Sequence, residues 1–327
     1  MLKIAKMERL SKKDNLNKVK EILLLDFKKM NKKIEKGDNM EYIVGKTAGF
    51  CFGVRNAVES AKKSIQEEPS MYCLGEIVHN KEVVHELEDM GMEFIDDISE
   101  NTDEKTTIIR AHGVSKEIYE IAEQKNIKLI DLTCPFVLKI HKMVSSHEKE
   151  GYYIFLVGAK AHPETIGTAG FCGKHYSIIE QQSDIEEAIQ NFYDSKMKKI
   201  FVVVQTTFNM EKFKEFSNII SEEFSNKDDV TLEIENTICL ATKERQDETE
   251  KMSKEVDFMI IIGGKNSSNT KKLYEISKKN CGKTICIETC DDINVGELEG
   301  IKKVGIMAGA STPQSSIEKV INLVENA

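Results

Sequence analysis

From residue 40 onward, the chain repeats a short β-rich run, a polar or glycine-rich turn and a helical pattern. Strands that alternate with helices predict parallel sheets joined by right-handed crossovers. In such sheets the carboxyl ends of the strands line the ligand crevice. The turns are therefore the candidate functional segments, and six of them are polar: residues 76–80, 110–115, 158–164, 205–207, 263–269 and 308–313.

Three further turns each place a cysteine between a strand pattern and a helical pattern, and these are Cys51, Cys134 and Cys239. A lone cysteine at such a place is most often a buried structural residue. Three cysteines in equivalent turns, each about a small domain apart, favour a shared site. The simplest fold class is α/β, with three related domains whose parallel sheets are arranged pseudo-threefold around a central cavity.

The predicted domains are residues 53–134, residues 135–235, and residues 236–327 together with 40–52. The lysine-rich residues 1–39 are expected to be a flexible N-terminal extension with no role in the chemistry.

Eight cysteines without a secretion signal favour a reducing compartment, so we expect a cytoplasmic protein that uses cysteine for metal binding or catalysis. The formal net charge of -9 disfavours nucleic acid as a partner. No apolar run approaches the length of a membrane span, so no membrane partner is expected. The five cysteines outside the three turns are expected to be structural: Cys73, Cys172, Cys281, Cys286 and Cys290.

Three thiolates without a fourth suit a cubane iron-sulfur cluster that keeps one iron open. A three-cysteine zinc site is the alternative. Beside these turns, the His162-Pro163-Glu164 segment carries a carboxyl group. If water is excluded, its pKa rises and it can donate a proton, with the hydroxyls of Thr206 and Thr207 to orient it. A helix cap explains the same segment equally well.

Residues 263–269 combine glycines with hydroxyl and amide donors at the start of a helical pattern, which is typical of a phosphate site. They do not form the ATP-binding P-loop, because Asn266 follows Lys265. Simple helix capping by Ser267 or Ser268 is the alternative. Ser311 repeats the theme, and the three histidines that follow strands add further donors: His79, His112 and His162.

Taken in order, these motifs resemble the 4-hydroxy-3-methylbut-2-enyl diphosphate reductase family, and the resemblance covers residue 40 to the end of the chain. The motifs that carry it are Gly49-Phe50-Cys51-Phe52-Gly53-Val54, Val78-His79-Asn80, Ala111-His112-Gly113-Val114-Ser115, Thr133-Cys134-Pro135, His162-Pro163-Glu164, Gln205-Thr206-Thr207, Lys265-Asn266-Ser267-Ser268-Asn269 and Ala308-Gly309-Ala310-Ser311.

The resemblance implies reductive dehydroxylation of that diphosphate to isopentenyl and dimethylallyl diphosphate, the last step of the methylerythritol phosphate route to isoprenoids. It implies a [4Fe-4S] cluster with an open iron, and reduced ferredoxin or flavodoxin as the electron donor. Glu164, assisted by Thr206, would supply the proton. The implied cluster ligands are Cys51, Cys134 and Cys239, and the implied diphosphate ligands are His79, His112, His162, Ser267, Ser268, Asn269 and Ser311.

Two other classes fit the three cysteines. An iron-sulfur dehydratase of the quinolinate synthase type also draws one cysteine from each of three domains, but its dicarboxylate-derived substrate calls for arginine forks, and here only Arg110 flanks a turn. A redox sensor would have no use for both a phosphate site and a proton donor.

Overall fold

The computed structural model describes residues 40–327 and forms, within that range, three four-stranded sheets in which every strand pair is parallel. The predicted extension over residues 1–39 lies outside the described residues. The strands are β1 (Glu41–Val44), β2 (Met71–Leu74), β3 (Met92–Ile95), β4 (Thr107–Ile109), β5 (Leu129–Asp131), β6 (Tyr153–Val157), β7 (Tyr176–Ile179), β8 (Lys199–Val204), β9 (Thr231–Ile234), β10 (Phe258–Ile262), β11 (Thr284–Ile287) and β12 (Lys303–Ala308).

Helices connect the strands within and between the sheets. They are α1 (Phe52–Glu67), α2 (Lys81–Asp89), α3 (Lys116–Gln124), α4 (Pro135–Lys149), α5 (Pro163–Ala169), α6 (Ser183–Ser195), α7 (Met210–Phe224), α8 (Leu240–Ser253), α9 (Ser268–Asn280) and α10 (Gln314–Glu325), with short 3-10 turns at Ile98–Glu100, Cys290–Asp292 and Val295–Leu298.

The three sheets share one strand plan. Their orders are β3-β2-β4-β5, β7-β6-β8-β9 and β11-β10-β12-β1. In each order the last strand precedes a cysteine turn and the two middle strands precede polar turns. The third sheet takes its cysteine strand, β1, from the start of the described range, so the N-terminal and C-terminal segments build one domain. The predicted α/β class with three related parallel domains is confirmed by this arrangement.

Two strands escaped the sequence analysis, β3 and β7. Each lies at an outer edge of its sheet, is four residues long and mixes buried with exposed positions. An edge strand pairs on one side only and needs less apolar surface than a central one, so its sequence pattern is weak. The central strands β6 and β10 are buried at every position, because helices cover both faces of a parallel sheet.

Each sheet packs its helices around its own apolar cores. Helix α8 is different, because its buried residues are mostly polar and include Arg245, Gln246 and Thr249. We propose the predicted domain bounds, 53–134, 135–235 and 236–327 with 40–52, because the strands of each sheet fall inside one of these ranges. Among the described helices, none has the length and apolar character needed to cross a membrane.

Candidate active site where three sheets meet

One cavity lies where the carboxyl ends of the three sheets meet. Turns after strands of all three sheets contribute to its wall, as the shared strand plan requires. Every residue that the sequence analysis selected for a site lines it: Cys51, His79, His112, Cys134, His162, Glu164, Thr206, Cys239, Ser267, Ser268, Asn269 and Ser311. The tertiary structure thus brings the whole predicted set together, while the role of each residue stays a prediction.

The three cavity cysteines occupy the same local position. Cys51, Cys134 and Cys239 are the N-cap residues of α1, α4 and α8, and none of the three side chains caps its own helix. Burial raises the pKa of Cys134 to about 11; the amides of Phe136 and Val137 oppose this increase. Burial also raises the pKa of Cys239. Such thiols would be deprotonated by a bound metal, which overrides the cost of burial.

Gly53 explains how two of these cysteines come close. A side chain there would place its Cβ only 2.6 Å from the sulfur of Cys134. Glycine at the first turn of α1 therefore lets the start of that helix, and with it Cys51, approach Cys134 at the start of α4. The donor chemistry fits an iron-sulfur cluster: three soft sulfur ligands, one after the last strand of each sheet, meet in a cavity whose wall holds no fourth cysteine among residues 40–327.

Arg245 lies beside the same cysteines and was missed by the sequence analysis. Its guanidinium donates to the carbonyl oxygens of Thr47 at 2.8 Å and Gly49 at 2.9 Å. It lines the cavity with only 3 % of its surface exposed. Burial lowers the pKa of Arg245, and its neighbours Cys51 and Cys239 only partly oppose the decrease.

Glu164 is buried, with 3 % of its surface exposed, in the first turn of α5. It accepts hydrogen bonds from the amide of Thr206 at 2.6 Å and from the Thr206 hydroxyl at 2.7 Å. Burial raises the pKa of Glu164 to about 7, and the two bonds from Thr206 only partly oppose the increase. The carboxyl group is therefore available in its protonated form near neutral pH, as an acid requires.

Three imidazoles form the opposite part of the cavity. The rings of His79 and His112 are stacked with their centres 4.6 Å apart, and that of His162 packs edge-on against both. One ring nitrogen from each lies within 4.8 Å of the others. Burial lowers the pKa of all three, that of His162 to about 3 and that of His112 well below its usual value. The three rings are therefore neutral in this cavity.

Hydrogen bonds determine which ring nitrogen carries the proton in two of these histidines. The Glu164 amide donates to His162 Nδ1 at 3.1 Å, so neutral His162 carries its proton on Nε2. That N–H suits an anion rather than a metal ion. His79 Nδ1 lies 3.2 Å from a carboxylate oxygen of Glu76, so neutral His79 carries its proton on Nδ1. Glu76 is a second residue that the sequence analysis did not assign, although it lies in the His79 turn.

The α9 end of the cavity supplies neutral donors. Ser267 caps α9 through a bond from the Thr270 amide at 3.3 Å, which is the capping alternative considered from sequence. Asn269 behaves differently, because both polar atoms of its side chain are buried without a partner in the described part of the chain. Ser311 donates to the carbonyl oxygen of His79 at 3.2 Å and so joins the first and third domains. Buried unpaired polar atoms in a cavity wall indicate a missing ligand.

Known proteins share this sequence and fold. A family model described as LytB protein matches residues 43–325. The 4-hydroxy-3-methylbut-2-enyl diphosphate reductase of Clostridioides difficile (strain 630) is 39% identical over 288 residues, which are 88% of this chain and 100% of the relative. The enzyme of the same name from Aquifex aeolicus (strain VF5) is 41% identical over 290 residues, 88% of this chain and 96% of the relative.

Two solved structures agree. A structure of (E)-4-hydroxy-3-methyl-but-2-enyl diphosphate reductase, described as the terminal enzyme of the non-mevalonate pathway, is 41% identical with a TM-score of 0.63 and covers 88% of this chain and 99% of its own. The structure of the E-1-hydroxy-2-methyl-but-2-enyl-4-diphosphate reductase from Plasmodium falciparum is 32% identical with a TM-score of 0.79. It covers 87% of this chain and 88% of its own.

The fold, the cavity and these relatives together define an enzyme of the oxidoreductase class. The chain belongs to the 4-hydroxy-3-methylbut-2-enyl diphosphate reductase family, and the family expected from the motifs is confirmed.

Proposed function

We propose that this protein reduces 4-hydroxy-3-methylbut-2-enyl diphosphate to isopentenyl and dimethylallyl diphosphate, the last step of the methylerythritol phosphate route. In this reaction the substrate takes up two electrons and two protons and loses its hydroxyl group as water. The observation that carries the proposal is one cavity holding three cysteines, a buried carboxyl group and three imidazoles drawn from three domains.

The three cysteines would hold a [4Fe-4S] cluster, with Cys51, Cys134 and Cys239 as its ligands. When bound, the cluster supplies a Lewis-acidic iron and a path for one electron at a time. Arg245 supports the Cys51 turn, since its buried guanidinium donates to the carbonyl oxygens of Thr47 and Gly49 just before that cysteine. Zinc, the alternative ion, does not change its oxidation state and so could not pass single electrons to the substrate.

Glu164 would donate the proton that lets the hydroxyl group leave as water. Its raised pKa keeps the proton available, and Thr206 orients the carboxyl group through two bonds. After the transfer, the same two donors from Thr206 remain to stabilise the carboxylate. The site therefore holds both the acid and its conjugate base without rearrangement.

The diphosphate would bind at the other end of the cavity. His162 Nε2–H and the side-chain amide of Asn269 would donate hydrogen bonds to phosphate oxygens. The remaining proposed ligands are His79, His112, Ser267, Ser268 and Ser311. The positive charges of Arg110 and Lys271 act electrostatically on both His79 and His162. Neutral donors with nearby cations suit a small dianionic group.

A dehydratase of the quinolinate synthase type fits this cavity less well. A dicarboxylate-derived substrate calls for arginine forks, and in the described cavity wall the arginine is Arg245. Two of its donor groups already bind backbone carbonyl oxygens. We also propose reduced ferredoxin or flavodoxin as the electron donor and a cytoplasmic location, since the cluster needs a reducing environment and single electrons.

Anaerobic reconstitution with iron and sulfide tests the proposal. Iron and sulfide should each approach four per chain, as the cluster type requires, and the loaded enzyme should convert the hydroxylated diphosphate with a reduced viologen. A loaded enzyme that leaves this diphosphate unchanged would refute the proposed substrate. Preparations that bind zinc and no sulfide would refute the proposed cofactor.

A further inference from the structure

Three large apolar side chains are exposed beside the three cavity cysteines. Phe52 directly follows Cys51, Leu240 directly follows Cys239, and Phe136 is two residues after Cys134. They are 62%, 63% and 48% exposed, respectively, in the first turns of α1, α8 and α4. We call Phe52, Phe136 and Leu240 the apolar rim.

The three residues of the apolar rim lie near the same cavity. The three cysteines line a single cavity, so the exposed side chains next to them in sequence lie on the protein surface close to that cavity, and Phe136 also lines its wall. A single exposed apolar residue is ordinary, but several grouped at one mouth mark an interaction surface. The three helices that begin at the cysteines therefore each contribute one apolar side chain to that surface.

Basic residues follow the rim at a constant spacing. Three residues beyond each apolar side chain, on the same helix, the chain has Arg55, Lys139 and Lys243, all exposed. Among residues 40–327, Arg55 and Lys243 have no ion-pair partner, and Lys139 is 3.9 Å from Glu235. We call these three the basic ring.

Acidic neighbours do not remove this pattern. Glu59 lies a further turn along α1, and Glu244 follows Lys243, but the position three residues beyond each rim residue is basic. On a chain whose formal net charge is -9, unpaired cations at the cysteine mouth make this surface locally attractive to an acidic partner.

We propose that the apolar rim and the basic ring together form the docking surface for a small acidic one-electron carrier protein. The inference rests on the proposed function, because it assumes a redox group held by the three cysteines. At each encounter the reduced carrier loses one electron and that group gains it, so each turnover needs two encounters. Since the rim residues adjoin the proposed ligands in sequence, a carrier docked there lies close to the group. An apolar centre with a charged surround is also the usual composition of a protein interface.

The test compares two reductants on the cluster-loaded enzyme under anaerobic conditions. The probes are a purified acidic [4Fe-4S] ferredoxin and a reduced viologen, which needs no docking surface. The variants are Phe52→Ser with Leu240→Ser, and separately Arg55→Glu with Lys243→Glu; none of these four residues lines the cavity. Matched controls are Val295→Ser, which removes another exposed apolar side chain, and Lys174→Glu with Lys214→Glu.

Both rim and ring variants should raise the KM and the directly measured Kd for ferredoxin by about tenfold or more, while viologen turnover and cluster absorbance stay within about twofold. The ring variant should also lose the salt dependence of ferredoxin binding. The control variants should match the wild type.

Unchanged ferredoxin binding in both variants would overturn the docking surface. Two other occupants of the same surface would also overturn it. A second copy of the chain would be seen as a dimer that dissociates in the rim variant. The segment 1–39 would be seen as tighter ferredoxin binding after its deletion. A wild-type enzyme that fails even with viologen refutes the proposed function instead, so the two failures are distinguishable.

Discussion

Thr206 binds Glu164 twice, through its amide to one carboxyl oxygen at 2.6 Å and through its hydroxyl to the other at 2.7 Å. The same residue accepts the Cys239 amide on its carbonyl oxygen at 3.1 Å. One threonine therefore fixes the distance between the proposed proton donor and a proposed cluster ligand. The arrangement also explains why the acid lies on the second domain beside the turn that precedes the third cysteine.

Glu164→Gln should remove the proton without changing the shape of the site. General acid catalysis is worth about 10²–10⁴ in rate, so kcat should fall by at least about a hundredfold. Iron content and visible absorbance should equal those of the wild type, because the amide oxygen can still accept one of the two hydrogen bonds from Thr206. Near-normal kcat in the variant would remove Glu164 from its assigned role.

The same residue predicts a pH dependence of stability. Because folding raises the pKa of Glu164 from 4.5 to about 7, the folded state binds its proton more tightly. The associated stability is complete below pH 4.5 and is lost as pH rises through 7, by an amount on the order of 3 kcal/mol. Relative to Glu164→Gln, the wild type should therefore have a lower thermal midpoint at pH 8 than at pH 5. A difference between the two proteins that does not change with pH would contradict the buried acid.

Cys134→Ser tests the sulfur ligands. Loss of one ligand from a three-cysteine site should reduce bound iron and sulfide strongly and remove the broad visible absorbance of the cluster. Cys286→Ser is the matched control, because Cys286 lies on the edge strand β11 and does not line the cavity. Equal spectra for the two variants would reject Cys134 as a ligand.

Glu76 should control proton uptake when the diphosphate binds. The Nδ1 proton of His79 faces Glu76, so Nε2 must gain a proton before it can donate to a phosphate oxygen. The other groups acting on His79 are the cations Arg110 and Lys271 and the rings of His112 and His162. Calorimetry of inorganic pyrophosphate binding in two buffers of different ionisation enthalpy measures this uptake.

At pH 7.5 the wild type should take up more protons than Glu76→Gln, and its affinity should fall more steeply with rising pH. His85, whose ring contacts Glu88 on the exposed side of α2, offers the control Glu88→Gln. If Glu76→Gln takes up as many protons as the wild type, His79 binds the anion without gaining one.

Local patterns in the sequence determined most of the fold. Alternating apolar runs and polar turns gave ten of the described strands, because central strands and helix starts leave marks within a few residues. The strands β3 and β7 left weaker marks, since an edge strand is only partly buried. The cysteine turns were visible for the same local reason.

Contacts between segments that are far apart in sequence could be seen only in the tertiary structure. No local pattern pairs β1 with β12, and it is that pairing which brings Cys51 to the third domain and so to the cavity. Burial of Glu164, the Glu76 contact with His79 and the place of Arg245 beside the cysteines also depend on segments far apart in sequence. Which residue types stand at the strand ends follows from the amino-acid order alone. Charge states and neighbours were decided by packing, because desolvation and hydrogen bonding exist only once the three domains have closed around the cavity.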